Sequence, residues 1–292
     1  MTPIRHGLTG ADRAALAALR AQLAAHPIAI TRASYDGLFE RVPPADGVEY
    51  SEAGVGGVPG VWCVPRAHRD RARAALLYLH GGGFVYGTAH AYRHLVGQIA
   101  ARAGVPAFVA DYRLAPEHTF PAALDDARAA FRALAAQFGA GHVALGGDSA
   151  GGGLALSLLQ EEAGVGCGVL LSPWTDLALT GASIDANAAD DPFLSRVSLE
   201  SGARQYLAVH DRRDPRASPL YGVTSKMPPI QVHVGTAEVL LDDSLRLAPN
   251  ERIQVHVWEE MLHVFPSSLG LFEAAQAAHD VIAAFLRAEL ST

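Results

Sequence analysis

A serine boxed by glycines, Gly147-Asp148-Ser149-Ala150-Gly151, is the feature that most narrows what this chain can fold into. An apolar β-like stretch (142–145) precedes it and a helix-like stretch (152–162) follows, so the serine falls on a strand–turn–helix connection. A turn that tight presses positions 147 and 151 against backbone, and both favour glycine. The result is a hydroxyl held out over the end of a sheet, open to a base on one side and a reacting carbonyl on the other.

With 29 glycines in the chain, one such pentapeptide could arise by chance. A second run argues otherwise. His80-Gly81-Gly82-Gly83-Phe84 comes straight after the apolar stretch 75–79. Three consecutive glycines leave backbone N–H groups able to turn toward one point, as stabilisation of an oxyanion requires, and the strand leading into them fixes where that point is.

At 292 residues, half of them hydrophobic, the chain can build one large α/β domain around a substantial core. No apolar run is long enough to cross a bilayer. The start, Met1-Thr2-Pro3-Ile4-Arg5, lacks the apolar core of a secretory signal, so a cytoplasmic location is expected. Cys63 and Cys167 each sit in an apolar run and read as buried small hydrophobes. A net charge of −7 without a basic, aromatic-interleaved cluster argues against a nucleic-acid partner. The 13 histidines are scattered, with no spacing suited to metal ligation, and neither GxGxxG nor a Walker loop occurs; no metal and no cofactor are expected.

β-like and helix-like runs alternate along most of the length, which predicts a mostly parallel sheet flanked by helices. Eight strands are expected, near 48–51, 58–64, 74–79, 106–112, 142–145, 168–171, 230–234 and 253–258, the first two as an antiparallel hairpin at one edge. Helices are expected near 90–103, 121–138, 150–163 and 269–290. Two segments break the rhythm. Residues 1–45 open with Thr9-x-x-Asp12, a capping-box-like helix start, and 183–221 is loop-rich with a short helix of its own near 198–209. Neither is expected in the sheet. Both read as parts of a small helical cap over the catalytic domain, which comprises 46–182 and 222–292; the second leaves from the carboxyl end of a strand, where open α/β sheets place ligands.

A serine hydroxyl needs a base, and the base an acid that holds its tautomer; in this architecture they follow in the order serine, acid, histidine. Of the histidines after Ser149, His233 and His256 lie in strand-like runs, His279 in the last helix and His210 in the cap segment. His263 alone occupies a loop between the last strand and the last helix, and is the expected base. For the acid, Glu238 stands just past a strand end, facing that loop. Asp242 and Asp243 are rivals that fall at the start of a helix, where carboxylates are expected as dipole partners.

These motifs resemble the hormone-sensitive-lipase-like bacterial esterases of the α/β-hydrolase fold. The resemblance rests on His80–Phe84, on Asp111-Tyr112-Arg113-Leu114-Ala115-Pro116-Glu117-His118, on Phe120-Pro121-Ala122-Ala123, on Gly147–Gly152, on Ser172-Pro173-Trp174 and on His263, in family order over about residues 45–290. It implies that Gly82, Gly83 and Ala150 donate their N–H groups to the oxyanion, and that His80 and the 112–118 run brace that loop. Where many members carry an aspartate followed by Pro-Leu, this chain has Glu238-Val239-Leu240, as in the branch described as epsilon-lactone hydrolases or short-chain esterases.

The implied activity is hydrolysis of short-to-medium acyl esters through an acyl-serine intermediate, with a lactone as the alternative substrate. Amide hydrolysis and a non-catalytic ligand-binding role are further rivals, the last disfavoured because serine, histidine and acid are all present. Phe84, Trp174 and Phe193 are candidate pocket walls. Asp148 reads as structural, since adjacent elbow residues point in different directions. Stable membrane insertion is not expected, and because family members are often dimers a homodimer is a candidate assembly.

Overall fold

A computed structural model describes residues 2–26 and 30–290. Residues 1 and 27–29, which belong to the expected N-terminal cap segment, lie outside the described residues, as do 291 and 292. The elements run β1 (Ile4–His6), α1 (Gly10–Ala25), α2 (Arg32–Phe39), β2 (Val48–Val55), β3 (Val58–Pro65), β4 (Ala75–Leu79), α3 (Ala89–Ala103), β5 (Ala107–Ala110), α4 (Ala122–Phe138), β6 (Val143–Asp148) and α5 (Ser149–Glu161). They continue with β7 (Cys167–Leu171), α6 (Ser183–Ala186), α7 (Arg196–Leu207), β8 (Ile230–Gly235), α8 (Leu241–Leu245), β9 (Ile253–Trp258) and α9 (Glu273–Glu289).

The strands form one nine-stranded sheet in the order β1-β9-β8-β7-β6-β4-β5-β3-β2. Pairing is parallel from β1 through β5; only β3 against β5 and β2 against β3 are antiparallel. Parallel strands are joined by helices that cover both faces, so their residues are apolar without alternation. In β4 every residue is buried: Leu77 and Leu79 enter the core under α4 and α5, while Leu76 and Tyr78 enter the opposite core under α3 and α9.

The sheet has one more strand than the sequence reading expected, and the extra one comes from the N-terminal segment expected to lie outside it. Residues 4–6 are too few to show a periodicity. They are fixed instead by parallel pairing with β9 and by His6 stacking on Trp258, ring centroids 3.8 Å apart. The helix start at Thr9 also differs from the expected form. Thr9 Oγ1 accepts the Asp12 N–H, but the buried Asp12 carboxylate turns away and accepts the N–H groups of Glu273 and Ala274, capping α9 from across the fold. The Asp12 side chain thus ties the N-terminal segment to the last helix.

Candidate active site

Four strands of the parallel run end in the chain segments that make the site, all at the carboxyl edge of the sheet. β4 leads into His80–Phe84, β6 into Ser149, β8 into Glu238 and β9 into His263. Ser149 has φ +51°, a left-handed conformation that costs a non-glycine residue of order 1–3 kcal/mol. Crowding imposes it: a Cβ at Gly147 would lie 2.4 Å from the Gly151 carbonyl oxygen, and one at Gly151 2.0 Å from that of Leu79. The Ser149 carbonyl accepts the Trp174 N–H at 2.9 Å, which ties the turn to the segment after β7.

The His263 side chain is 9% exposed, and its Nδ1 lies 2.8 Å from Glu238 Oε2. The other carboxylate oxygen, Oε1, accepts the Gly235 N–H at 2.7 Å and the Ser172 hydroxyl at 2.9 Å. A carboxylate only accepts, so Nδ1 carries the proton and Nε2 presents a lone pair. Burial alone would push the His263 pKa down. The hydrogen bond and charge of Glu238, with the nearby charges of Asp191 and Asp148, more than offset it and lift the imidazole above its ordinary 6.5.

The rival acids are engaged elsewhere. Asp242 accepts the Ser183 N–H, and Asp243 accepts the N–H groups of Thr175 and Asp176 and pairs with Arg246. Burial pushes Asp243 up to about 7, against the pull of Arg246. The structure brings Glu238, and neither aspartate, to His263.

Gly82 has φ +112°, and its carbonyl accepts the N–H groups of Val85 and Tyr86, closing the loop into a turn. Among the described residues no acceptor takes the N–H of Gly82 or Gly83. Ala150 stands in the first turn of α5, where N–H groups have no partner within the helix. The three N–H groups that the resemblance assigns to the oxyanion thus lie on the segments that follow the paired strands β4 and β6. Tyr112 donates to the His80 carbonyl at 2.6 Å and stacks on its ring, bracing the start of the loop.

Of the expected pocket walls, Phe84 and Trp174 are buried together, with ring centroids 6.0 Å apart. Tyr206 of α7 stacks on Phe84 at 3.7 Å. Phe193 does not join them: it is 40% exposed, on the turn where Asp191 accepts its N–H. The backbone of α7 reaches the loop itself, since a Cβ at Gly202 would lie 3.3 Å from the Gly83 carbonyl oxygen.

Sequence reasoning missed three residues that hold this arrangement. Ser172, besides donating to Glu238, accepts the N–H of Val264, a residue held at φ +53°. Asp191 accepts the Val239 N–H, and Asn187 donates to the carbonyls of Thr236 and Glu238. Only Ser172, through its place in Ser172-Pro173-Trp174, carried a sequence signal. Both cysteines are buried free thiols, and desolvation pushes Cys167 up to about 12. Among the described residues no helix is long and apolar enough to cross a membrane.

The family described as the alpha/beta hydrolase fold matches residues 76–267, about two-thirds of the chain and every segment just described. The chain belongs to the α/β-hydrolase fold family. An acetyl-hydrolase of Streptomyces hygroscopicus is 38% identical over 257 residues, covering 84% of this chain and 83% of the relative. An ethyl acetate hydrolase of Pseudomonas putida is 38% identical over 190 residues, covering 61% and 59%. An esterase of the bacterial hormone-sensitive lipase family, solved by crystallography, superposes with a TM-score of 0.87 at 35% identity, covering 97% of this chain and 99% of that one. The protein is thus a hydrolase of the esterase type within this family, as its motifs implied.

Proposed function

We propose that the protein hydrolyses short-to-medium acyl carboxylic esters through an acyl-serine intermediate, with Ser149 as nucleophile, His263 as base and Glu238 as the orienting acid. The observation that carries this reading is the 2.8 Å contact between His263 Nδ1 and Glu238 Oε2. It fixes the tautomer in which Nε2 accepts a proton, on a loop that follows β9 at the same carboxyl edge of the sheet as the serine turn after β6. The named relatives, an acetyl-hydrolase and an ethyl acetate hydrolase, support an ester with a small acyl group.

His263 Nε2 takes the Ser149 proton as Oγ attacks the ester carbonyl. Negative charge collects on the carbonyl oxygen, where the N–H groups of Gly82, Gly83 and Ala150 stabilise it, each by about 3 kcal/mol in barrier. The imidazolium, stabilised by Glu238, returns the proton to the departing alkoxide, leaving Ser149 acylated. Water then enters, His263 takes one of its protons, and the acyl group leaves as the acid while Ser149 recovers its hydrogen.

Ser149→Ala is expected to lower kcat for p-nitrophenyl acetate and butyrate by about 10⁴-fold or more while far-UV circular dichroism stays unchanged. Undiminished turnover by that variant would overturn the reading. A series of p-nitrophenyl esters from acetate to palmitate, run beside lactones, fixes the acyl range, and activity concentrated on the long chains would contradict it.

A further inference from the structure

Asp148, the residue before Ser149, is fully buried, and among the described residues no lysine or arginine pairs with it. A buried carboxylate without a cation is expensive, and burial pushes this one up to about 6. Its hydrogen bonds show what it holds. Oδ1 accepts the Tyr78 hydroxyl at 3.1 Å and the Gly81 N–H at 3.0 Å, and Oδ2 accepts the Tyr92 hydroxyl at 3.1 Å. The contact with Gly81 is too close for any side chain there: a Cβ would lie 2.2 Å from Asp148 Oδ2.

Tyr92 Oη is also 2.8 Å from Tyr35 Oη. The one Tyr92 proton points at the carboxylate, so Tyr35 donates to Tyr92. A directed chain results, from Tyr35 on α2 through Tyr92 on α3 to Asp148, and from Asp148 to the N–H that opens the glycine run. The same α2 also holds the far side of that run. Arg32 Nε donates to the Val85 carbonyl at 3.0 Å, while its guanidinium reaches the Ala115 carbonyl and pairs with Glu117.

We propose that Asp148 is a positioning residue of the oxyanion hole: it anchors Gly81, and so aims the N–H groups of Gly82 and Gly83, and α2 acts on the hole through Tyr35 and Tyr92. The inference rests on the reading that Gly82 and Gly83 are oxyanion donors. A group that merely filled space would leave transition-state binding untouched, whereas this one moves kcat and not KM.

The test compares Asp148→Ala, Asp148→Asn and Tyr35→Phe in two measurements: kcat and KM for p-nitrophenyl acetate, and inhibition by a trifluoromethyl ketone relative to its methyl ketone. The fluorinated ketone forms a tetrahedral adduct whose oxygen needs the hole. Asp148→Ala is expected to lose about 100-fold in kcat at nearly constant KM, with a parallel loss of the preference for the fluorinated ketone. Asp148→Asn keeps an acceptor for Gly81 and is expected to stay within about tenfold of wild type, and Tyr35→Phe to lose about fivefold in kcat.

A folded Asp148→Ala with kcat and inhibitor preference within about threefold of wild type would overturn the proposal. Should Asp148→Ala not fold, Tyr35→Phe decides: an unchanged kcat overturns it. If wild type itself shows no preference for the fluorinated ketone, the oxyanion-hole reading fails first and the proposal falls with it.

Discussion

Two groups of imidazoles stand at the same end of the sheet, in opposite surroundings. His263, in the loop after β9, is backed by the Glu238 carboxylate, and its pKa lies above the ordinary value. On β8, β9 and β1, His233, His256 and His6 stack in a row, with centroids 4.8 Å and 5.2 Å apart. Their ring nitrogens meet one another, the side chains of Gln231 and Gln254, and the Trp258 N–H. No carboxylate bonds to this row among the described residues. Desolvation lowers all three, His256 to about 4, and the His233 pKa falls further because its neighbours would repel a second charge. Burial acts on both groups in the same direction. What separates a proton-accepting histidine from a packing one is the carboxylate, placed by a loop rather than by the strand that carries the ring.

Removing that carboxylate is the strongest way to break the comparison. Glu238→Gln is expected to lower kcat by about 10³- to 10⁴-fold, since the amide no longer holds the productive tautomer. The sign of the pH effect follows. In the proposed mechanism His263 acts as base only when neutral, so wild-type activity is expected to fall as pH drops through a midpoint above 6.5. Without Glu238 the imidazolium loses its stabilisation, and the acid limb of the residual activity moves to lower pH. A limb that stays in place would show that another group sets the His263 pKa.

A smaller effect sharpens the other half. His256→Gln is expected to leave kcat within about twofold, because among the described residues the His256 ring bonds to His6 and Gln254 and not to the candidate site. Its value lies in stability against pH. A histidine whose folded pKa is about 4 against about 6.5 unfolded takes up its proton only on unfolding, so it costs stability as pH falls from 6.5 toward 4. Asp148 and Asp243, pushed up to about 6 and about 7, act in the opposite sense, so the difference between variant and wild type is the informative quantity. Over that window the Tm difference is expected to shift in favour of His256→Gln by about 2–4 °C. A difference that is flat with pH would place His256 among ordinary exposed imidazoles.

Ser149 and the sheet around it were legible in the sequence because their signals are local: a glycine-bounded turn between a strand and a helix, and short apolar runs alternating with helix-like ones. His263 could be isolated by asking which histidine lies outside regular structure. Glu238 was separable from Asp242 and Asp243 only by its place in a loop, and what sets the three apart is the set of partners each meets from distant segments. Ser172 lies 66 positions from Glu238 and 92 from Val264, and Asp191 lies 48 from Val239, so no local pattern marks them. β1 was invisible for the same reason: three residues make a strand only because β9 offers an edge.

The central claim is that Ser149 is the atom that becomes acylated, with His263 activating it. Mass mapping after treatment with diethyl p-nitrophenyl phosphate tests this directly, because the phosphoryl group stays on the nucleophile. The account expects one diethylphosphoryl group on the peptide containing Ser149, loss of activity in proportion to labelling, and much slower labelling in His263→Ala. Label on a different residue at full inactivation, or labelling as fast without His263, would contradict it.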